Sequence, residues 1–198
     1  KPTTGNGNNA TKTLPGTSDT PTTKTINGVQ TDVYEYYATN ISTNVVVNTV
    51  NSSGAGTNRP KKVIIYLDGN LDLSGNQSIT QSCKDRQGTA VAAGSCDLSN
   101  FQIYGYKTTA NPNPAICTHG NKVIEAFIIA PDHTAGMKGG GSNDGGIQGA
   151  LWAKSWGDGG SGCNSNSNHA GIQQKGTAGD LGAYFPTTTG QTRTVIPA

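Results

Sequence analysis

Charged side chains are scarce in this 198-residue chain, of which Asp, Glu, Lys and Arg make up 13%. The 14 basic and 12 acidic residues leave a net charge of +2, and the nearest approach to a basic cluster is residues 59–62, with one Arg and two Lys. Nucleic-acid-binding domains carry a dense basic patch or stripe. The charge pattern therefore gives no reason to predict a nucleic-acid partner, although it leaves contact with DNA open.

Hydrophobic side chains are also few, at 32%, and they form no long run. A membrane-spanning helix needs about 18–20 consecutive apolar residues, which no segment of the chain supplies. No signal peptide is visible, and we expect any export signal or anchor to lie upstream of Lys1. A membrane contact is expected only through an N-terminal helix outside this chain.

Thr, Asn, Ser and Gly dominate the remainder, with 28 Gly, 9 Pro and a single Met. The branched Cβ of Thr favours strands, whereas Asn, Ser and Gly favour tight turns. The composition predicts an all-β fold of many short strands with little helix. We expect a short, irregular β-solenoid-like stack with long loops, and the alternative is a β-sandwich, which gives a similar pattern of strands.

The N-terminal 28 residues contain few apolar side chains and are expected to form an extended strap or linker. Residues 29–198 are expected to form one β-rich extracellular domain. The clearest buried strand is 62–67, a β-branched and aromatic run that ends at Asp68-Gly69-Asn70. Further strands are predicted at 31–37, 45–47, 71–73, 101–104, 123–130 and 147–154.

The four cysteines, an even number, predict two disulfides and an oxidising compartment. They form no CxxC pair, and the histidines do not complete a zinc-binding spacing. Three pairings are open to four cysteines. Local closure favours Cys83 with Cys96 and Cys117 with Cys163.

No residue pattern supports catalysis, so the prediction is a protein without enzymatic activity or an obligatory cofactor. The loop 157–162 is rich in Gly and contains a Ser, but no Asp directly precedes that serine. Calcium is the metal with most support, because carboxylates beside turns suit this hard cation. The candidate ligands are Asp68, Asp72, Asp132, Asp144 and Asp158.

Aromatic side chains are the other candidates for binding, namely Tyr34, Tyr36, Tyr37, Tyr104, Tyr106, Trp152 and Trp156. Alternation along a strand places Tyr34 and Tyr36 on one face and Tyr37 on the opposite face. Aromatics in strands are usually core residues, but an exposed group can form a platform for sugars. The expected surface-contact aromatics are Tyr106, Trp152 and Trp156.

Four segments carry a family resemblance: 63–76 (VIIYLDGNLDLSGN), 101–105 (FQIYG), 127–132 (FIIAPD) and 146–154 (GIQGALWAK). In this order they resemble segments in the C-terminal domain of PilX-like type IV pilus assembly proteins. The Asn- and Thr-rich composition with a Gly-Gly-Gly insert is similar to that of cyanobacterial members. The resemblance implies a minor pilin-like protein whose hydrophobic N-terminal helix enters the membrane or filament, while this β-rich domain projects outward.

The expected function is therefore that of a structural or adhesive domain at the cell surface or pilus, acting in pilus assembly or surface attachment. Its expected partners are other pilin subunits or surface ligands. The alternative is a secreted adhesin or binding module that recognises carbohydrate or depends on calcium.

Overall fold

The computed structural model describes residues 11–73, 77–92, 94–119, 122–138, 146–156, 163 and 171–174. These residues form twelve strands and one short 3-10 helix, η1. The elements are β1 (Thr11–Leu14), β2 (Thr22–Ile26), β3 (Val29–Ala38), β4 (Asn44–Val50), β5 (Lys61–Leu67), β6 (Leu71–Asp72), β7 (Ile79–Lys84), η1 (Leu98–Asn100), β8 (Phe101–Gly105), β9 (Ala115–His119), β10 (Val123–Lys138), β11 (Gly146–Trp156) and β12 (Gly171–Gln174).

The predicted all-β class is confirmed, and the strands close into a ring. Pairing follows the order β4–β7–β10–β8–β5, and one antiparallel bridge between Val50 of β4 and Lys61 of β5 completes the circuit. This five-stranded, barrel-like core carries the remaining strands at its edges. The finer choice between a solenoid-like stack and a sandwich stays a prediction.

Parallel pairing joins strands that are distant in the sequence. Strands β3, β5, β8, β10 and β11 lie side by side in register. The same register aligns Tyr36, Ile65, Ile103, Ile128 and Leu151. A second parallel series contains β1, β4, β7, β10, β11 and β12. Each aligned row therefore contains one side chain from each strand of its series, at the same position along the strand direction.

Strand β10 pairs with four other strands, one of which is β11. It pairs with β7 at Ile124, with β8 at Phe127–Ile129, and with β9 from Thr134 onward. Its register with β11 shifts between Ala130 and Thr134, a segment that contains Pro131. Proline within a sheet is tolerated at such an irregularity. The strand predicted over 123–130 is therefore longer than expected, since it bends at the proline and continues.

The core lies inside the ring and follows the alternation of the strands. In β5 and β8 the inward side chains of Val63, Ile65, Phe101 and Ile103 are almost fully buried. Neighbouring rows add more aliphatic side chains to one continuous cluster. Removal of this apolar surface from water is the main stabilising contribution to such a fold.

Two disulfides join Cys83 to Cys96 and Cys117 to Cys163, the pairing that local closure predicts. The first attaches the loop before η1 to β7, and the second attaches Cys163 to β9. These bonds fit a non-cytoplasmic protein, because thiols stay reduced in the cytosol.

The N-terminal segment contributes two strands to the sheet. Strand β1 pairs in parallel with β4, and β2 forms an antiparallel hairpin with β3 around Asn27-Gly28. Asn27 and Gly28 both have positive φ, as such a turn requires. The hairpin covers β3 only as far as Val33. The domain boundary predicted near residue 28 stays a prediction.

His133 is fully buried beside the irregular part of β10. Its Nε2 lies 2.9 Å from the carbonyl oxygen of Gly69, and no hydrogen-bond partner is present for Nδ1 within the described part of the chain. Gly105 leaves the room that the imidazole occupies, since a Cβ there would lie 2.6 Å from the His133 Cε1. Burial lowers the pKa of His133 below 6.5, and the contact with Gly69 opposes this only in part.

We expect stability to fall as the pH drops below 6.5, because the unfolded chain then binds a proton at His133 more readily than the folded one. This loss of stability is absent well above pH 6.5, and it is complete once the pH has fallen below the lower pKa of His133 in the folded state. Urea unfolding measured against pH would show it. A His133→Gln variant should lose this slope, and an unchanged slope would assign it to another group. The lowered pKa values of Asp19, Glu35 and Asp132 contribute only below about pH 5, so the slope between about pH 5 and 6.5 isolates His133.

Candidate functional site

A row of aromatic side chains on the outer surface is the most prominent feature that the core does not explain. The register aligns Tyr37, Tyr66, Tyr104, Ile129 and Trp152 across five neighbouring strands. We call these five residues the aromatic row. At about 4.8 Å between strands, the row extends roughly 19 Å across the sheet.

The row lies on the outer face because each member sits between two inward-facing neighbours, and its three middle members are half-buried. Tyr66, for example, lies between the buried Ile65 and Leu67 of β5. Exposure is greatest at the two ends, where Tyr37 is 62% and Trp152 is 61% accessible. Apolar side chains grouped on a surface in this way mark contact sites more often than scattered ones do.

The tyrosines of the row stack on one another. Ring centroids are 5.0 Å apart between Tyr37 and Tyr66 and 5.9 Å apart between Tyr66 and Tyr104. The interplanar angles are 23° and 27°, so both faces of the Tyr66 ring are covered. The middle of the row therefore presents ring edges outward, which suits packing against another surface better than stacking of a flat ligand.

Hydrogen bonds hold the stacked rings in place. The Tyr66 hydroxyl donates to Glu35 Oε1 at 2.9 Å, and the Tyr104 hydroxyl donates to Gln102 Oε1 at 3.1 Å. Glu35 is itself paired with Lys24 at 3.0 Å. Burial, followed by the bond to Glu35, raises the pKa of Tyr66 well above its usual range. These bonds restrict the rings of Tyr66 and Tyr104, which lowers the entropy cost of binding.

The predicted surface-contact aromatics are all exposed. Trp152 belongs to the aromatic row, whereas Trp156 follows four residues later on β11 and is 38% accessible. Tyr106 follows β8 and is 46% accessible. The predicted division of the β3 tyrosines is also confirmed, since Tyr34 and Tyr36 pack against the core.

The candidate calcium ligands do not come together where the structure describes them. Asp68 follows β5, Asp72 lies in β6, and Asp132 lies in β10, where it pairs with Lys107 at 3.1 Å. Asp144 and Asp158 lie outside the described residues. Among the residues that are described, no three His, Cys, Asp or Glu side chains form a group that could hold a metal ion.

Sequence reasoning missed two members of the row, Tyr66 and Ile129. Tyr66 follows four consecutive buried residues of β5, so the apolar run of that strand gives no local signal that its ring lies on the outer surface. Ile129 lies within an apolar run, where the local pattern does not separate inward from outward positions. Only the register of β10 against β8 places it between Tyr104 and Trp152.

Within the described ranges no helix is long and apolar enough to cross a membrane. Comparison with protein-family models, with curated proteins and with solved structures finds no significant match to this chain.

Proposed function

We propose that this chain is a non-enzymatic extracellular binding domain that attaches to a partner surface through the aromatic row. The observation that carries the proposal is the exposure of aligned aromatic side chains on a rigid sheet. Tyrosine and tryptophan dominate the energetics of protein contacts. The partner is a pilin subunit or a protein at the surface to which the cell attaches.

The resemblance to PilX-like proteins supports a place in a type IV pilus. The segments 63–67, 101–105, 127–130 and 150–153 that contribute to it belong to neighbouring strands of one parallel series. Determination of the complete open reading frame tests the assignment. A short basic leader followed by about 20 apolar residues would support it, and a cleavable secretory signal alone would leave a secreted adhesin.

We further propose that the fold is an irregular β-solenoid-like stack. The two parallel series share strand β10, which also pairs with β9. This order of pairing is consistent with successive coils. The ring that encloses the core depends on single-residue bridges at Ile124–Ile79 and Val50–Lys61. An experimental structure in which both bridges extend into regular ladders would instead identify a barrel.

Substitution of Trp152 tests the binding surface. Trp152→Ala is expected to weaken attachment by roughly 10–30-fold, the usual effect of removing an aromatic anchor of about 1.4–2 kcal/mol. Beads coated with the intact domain, retained under flow on the surface that the source cells colonise or on purified pili, provide the measurement. Because the side chain is exposed, unfolding free energy should change by no more than about 0.5 kcal/mol.

The matched control is Thr80→Ala, which changes a half-buried residue on β7, in the other parallel series. It should leave attachment unchanged. If beads coated with the Trp152→Ala domain were retained as well as beads coated with the Thr80→Ala domain, the aromatic row would not be the contact surface.

A further inference from the structure

An open cavity of about 620 Å³ lies beside Tyr37, where the chain after β1 passes the free edge of β3. Its lining includes Lys12, Thr17, Asp19, Thr20, Glu35 and Tyr37. The β2 hairpin covers β3 only to Val33, and among the described strands the next part of β3 pairs with β5 alone. The volume falls in the range of about 300–1,000 Å³ that is usual for small-molecule sites.

Tyr37 is an aromatic wall of this cavity. One face of its ring stacks on Tyr66, yet the side chain remains 62% exposed and lines the cavity. The face away from Tyr66 is therefore available to a ligand. This distinguishes Tyr37 from Tyr66, whose two faces are both covered.

A polar loop also lines the cavity. Asp19 Oδ2 accepts hydrogen bonds from the Gly16 amide and from the Tyr36 hydroxyl, each at 2.6 Å. These bonds lower the pKa of Asp19, with the Tyr36 hydroxyl as the larger cause. The loop also contributes the hydroxyl-bearing side chains of Thr17 and Thr20 to the lining.

The charges around the cavity are balanced. Glu35 is paired with Lys24 at 3.0 Å, and the remaining charges of the lining are Asp19 and Lys12. An anion would meet two carboxylates, and a cation would meet the Lys12 ammonium. The cavity is thus suited to a neutral ligand that has one apolar face and many hydroxyls.

We propose that this cavity binds the terminal sugar residue of a neutral glycan, which stacks its C–H-bearing face on Tyr37. Its hydroxyls then exchange hydrogen bonds with Asp19 and the threonines of the loop. The site shares Tyr37 with the aromatic row, but Trp152 lies at the opposite end of that row, so the two residues can be tested independently.

Titration of the whole domain, disulfides intact, with cellotetraose, chitotetraose, maltotetraose and galactotetraose tests the proposal by calorimetry and NMR. We expect saturable binding of at least one of them. Tyr37→Ala should weaken it about tenfold, while Tyr37→Phe should retain it, because the stacking face is preserved. Thr17→Trp, which keeps Tyr37 but occupies part of the cavity, should weaken it further.

Failure of this proposal is distinguishable from failure of the proposed function. Trp152→Ala should leave sugar binding unchanged while it weakens attachment. No saturable binding of any tetrasaccharide at millimolar concentration, or binding that Tyr37→Ala and Thr17→Trp both leave intact, would overturn the sugar site. Neither result would affect the attachment measured through Trp152.

Discussion

Replacement of Phe101 by Ala is expected to lower the free energy of unfolding by about 3–5 kcal/mol, the range found for large-to-small changes in protein cores. Phe101 is completely buried and is aligned with Val63 on β5. Truncation therefore removes apolar contacts and leaves a void that neighbouring strands fill only in part. Urea or guanidinium unfolding under non-reducing conditions gives the measurement.

Phe101→Leu is the matched control, since it keeps most of the apolar volume and should cost less than half as much. Tyr37→Ala is the second control, because it removes a ring of similar size from the surface. It should cost only about 1 kcal/mol, mostly from the lost stacking on Tyr66. Equal losses for Phe101→Ala and Tyr37→Ala would mean that Phe101 is not a core residue.

The second large effect is expected from loss of the Cys117–Cys163 disulfide. The bond links residues 46 apart, and restriction of a loop of that length contributes about 4 kcal/mol in the chain-entropy treatment. A double Cys117→Ser and Cys163→Ser variant should lose that amount. Both cysteines are buried, so the serine hydroxyls will add to the loss. Thermal and urea unfolding of the purified variant measure it.

The Cys83–Cys96 bond is the internal comparison. It links residues only 13 apart, so its removal should cost about 3 kcal/mol in the same treatment. A Cys117→Ala and Cys163→Ala pair separates the hydroxyl contribution from that of the cross-link. If loss of the Cys83–Cys96 bond destabilised the chain more than loss of the Cys117–Cys163 bond, strain or packing would outweigh chain entropy in this protein.

The strands that have a strongly apolar sequence were predicted from local sequence pattern. The run 62–67 corresponds to β5 (Lys61–Leu67), and 101–104 corresponds to β8 (Phe101–Gly105). Strands β1 and β2 were not predicted, because their side chains are mostly polar and exposed. Their stability depends on backbone hydrogen bonds to β4 and β3, which leave no mark in local composition.

The candidate site was predictable only in its components. Trp152 and Tyr106 were expected at the surface, and alternation placed Tyr37 opposite Tyr36. Their relation to Tyr66 and Tyr104 depends on the register of strands far apart in the sequence. A one-residue shift in that register would turn an entire strand over, so no local pattern can supply it.

By itself the sequence determined that this protein is built of strands, that turns separate them, and that four cysteines are available for cross-links. These properties follow from β-branching, alternation and glycine content, which act over a few residues. The tertiary structure alone decided that five strands present an aromatic row and that the chain after β1 lines a cavity together with Tyr37. The reason is that parallel pairing joins segments tens of residues apart, and the alignment depends on core packing and long-range hydrogen bonds together.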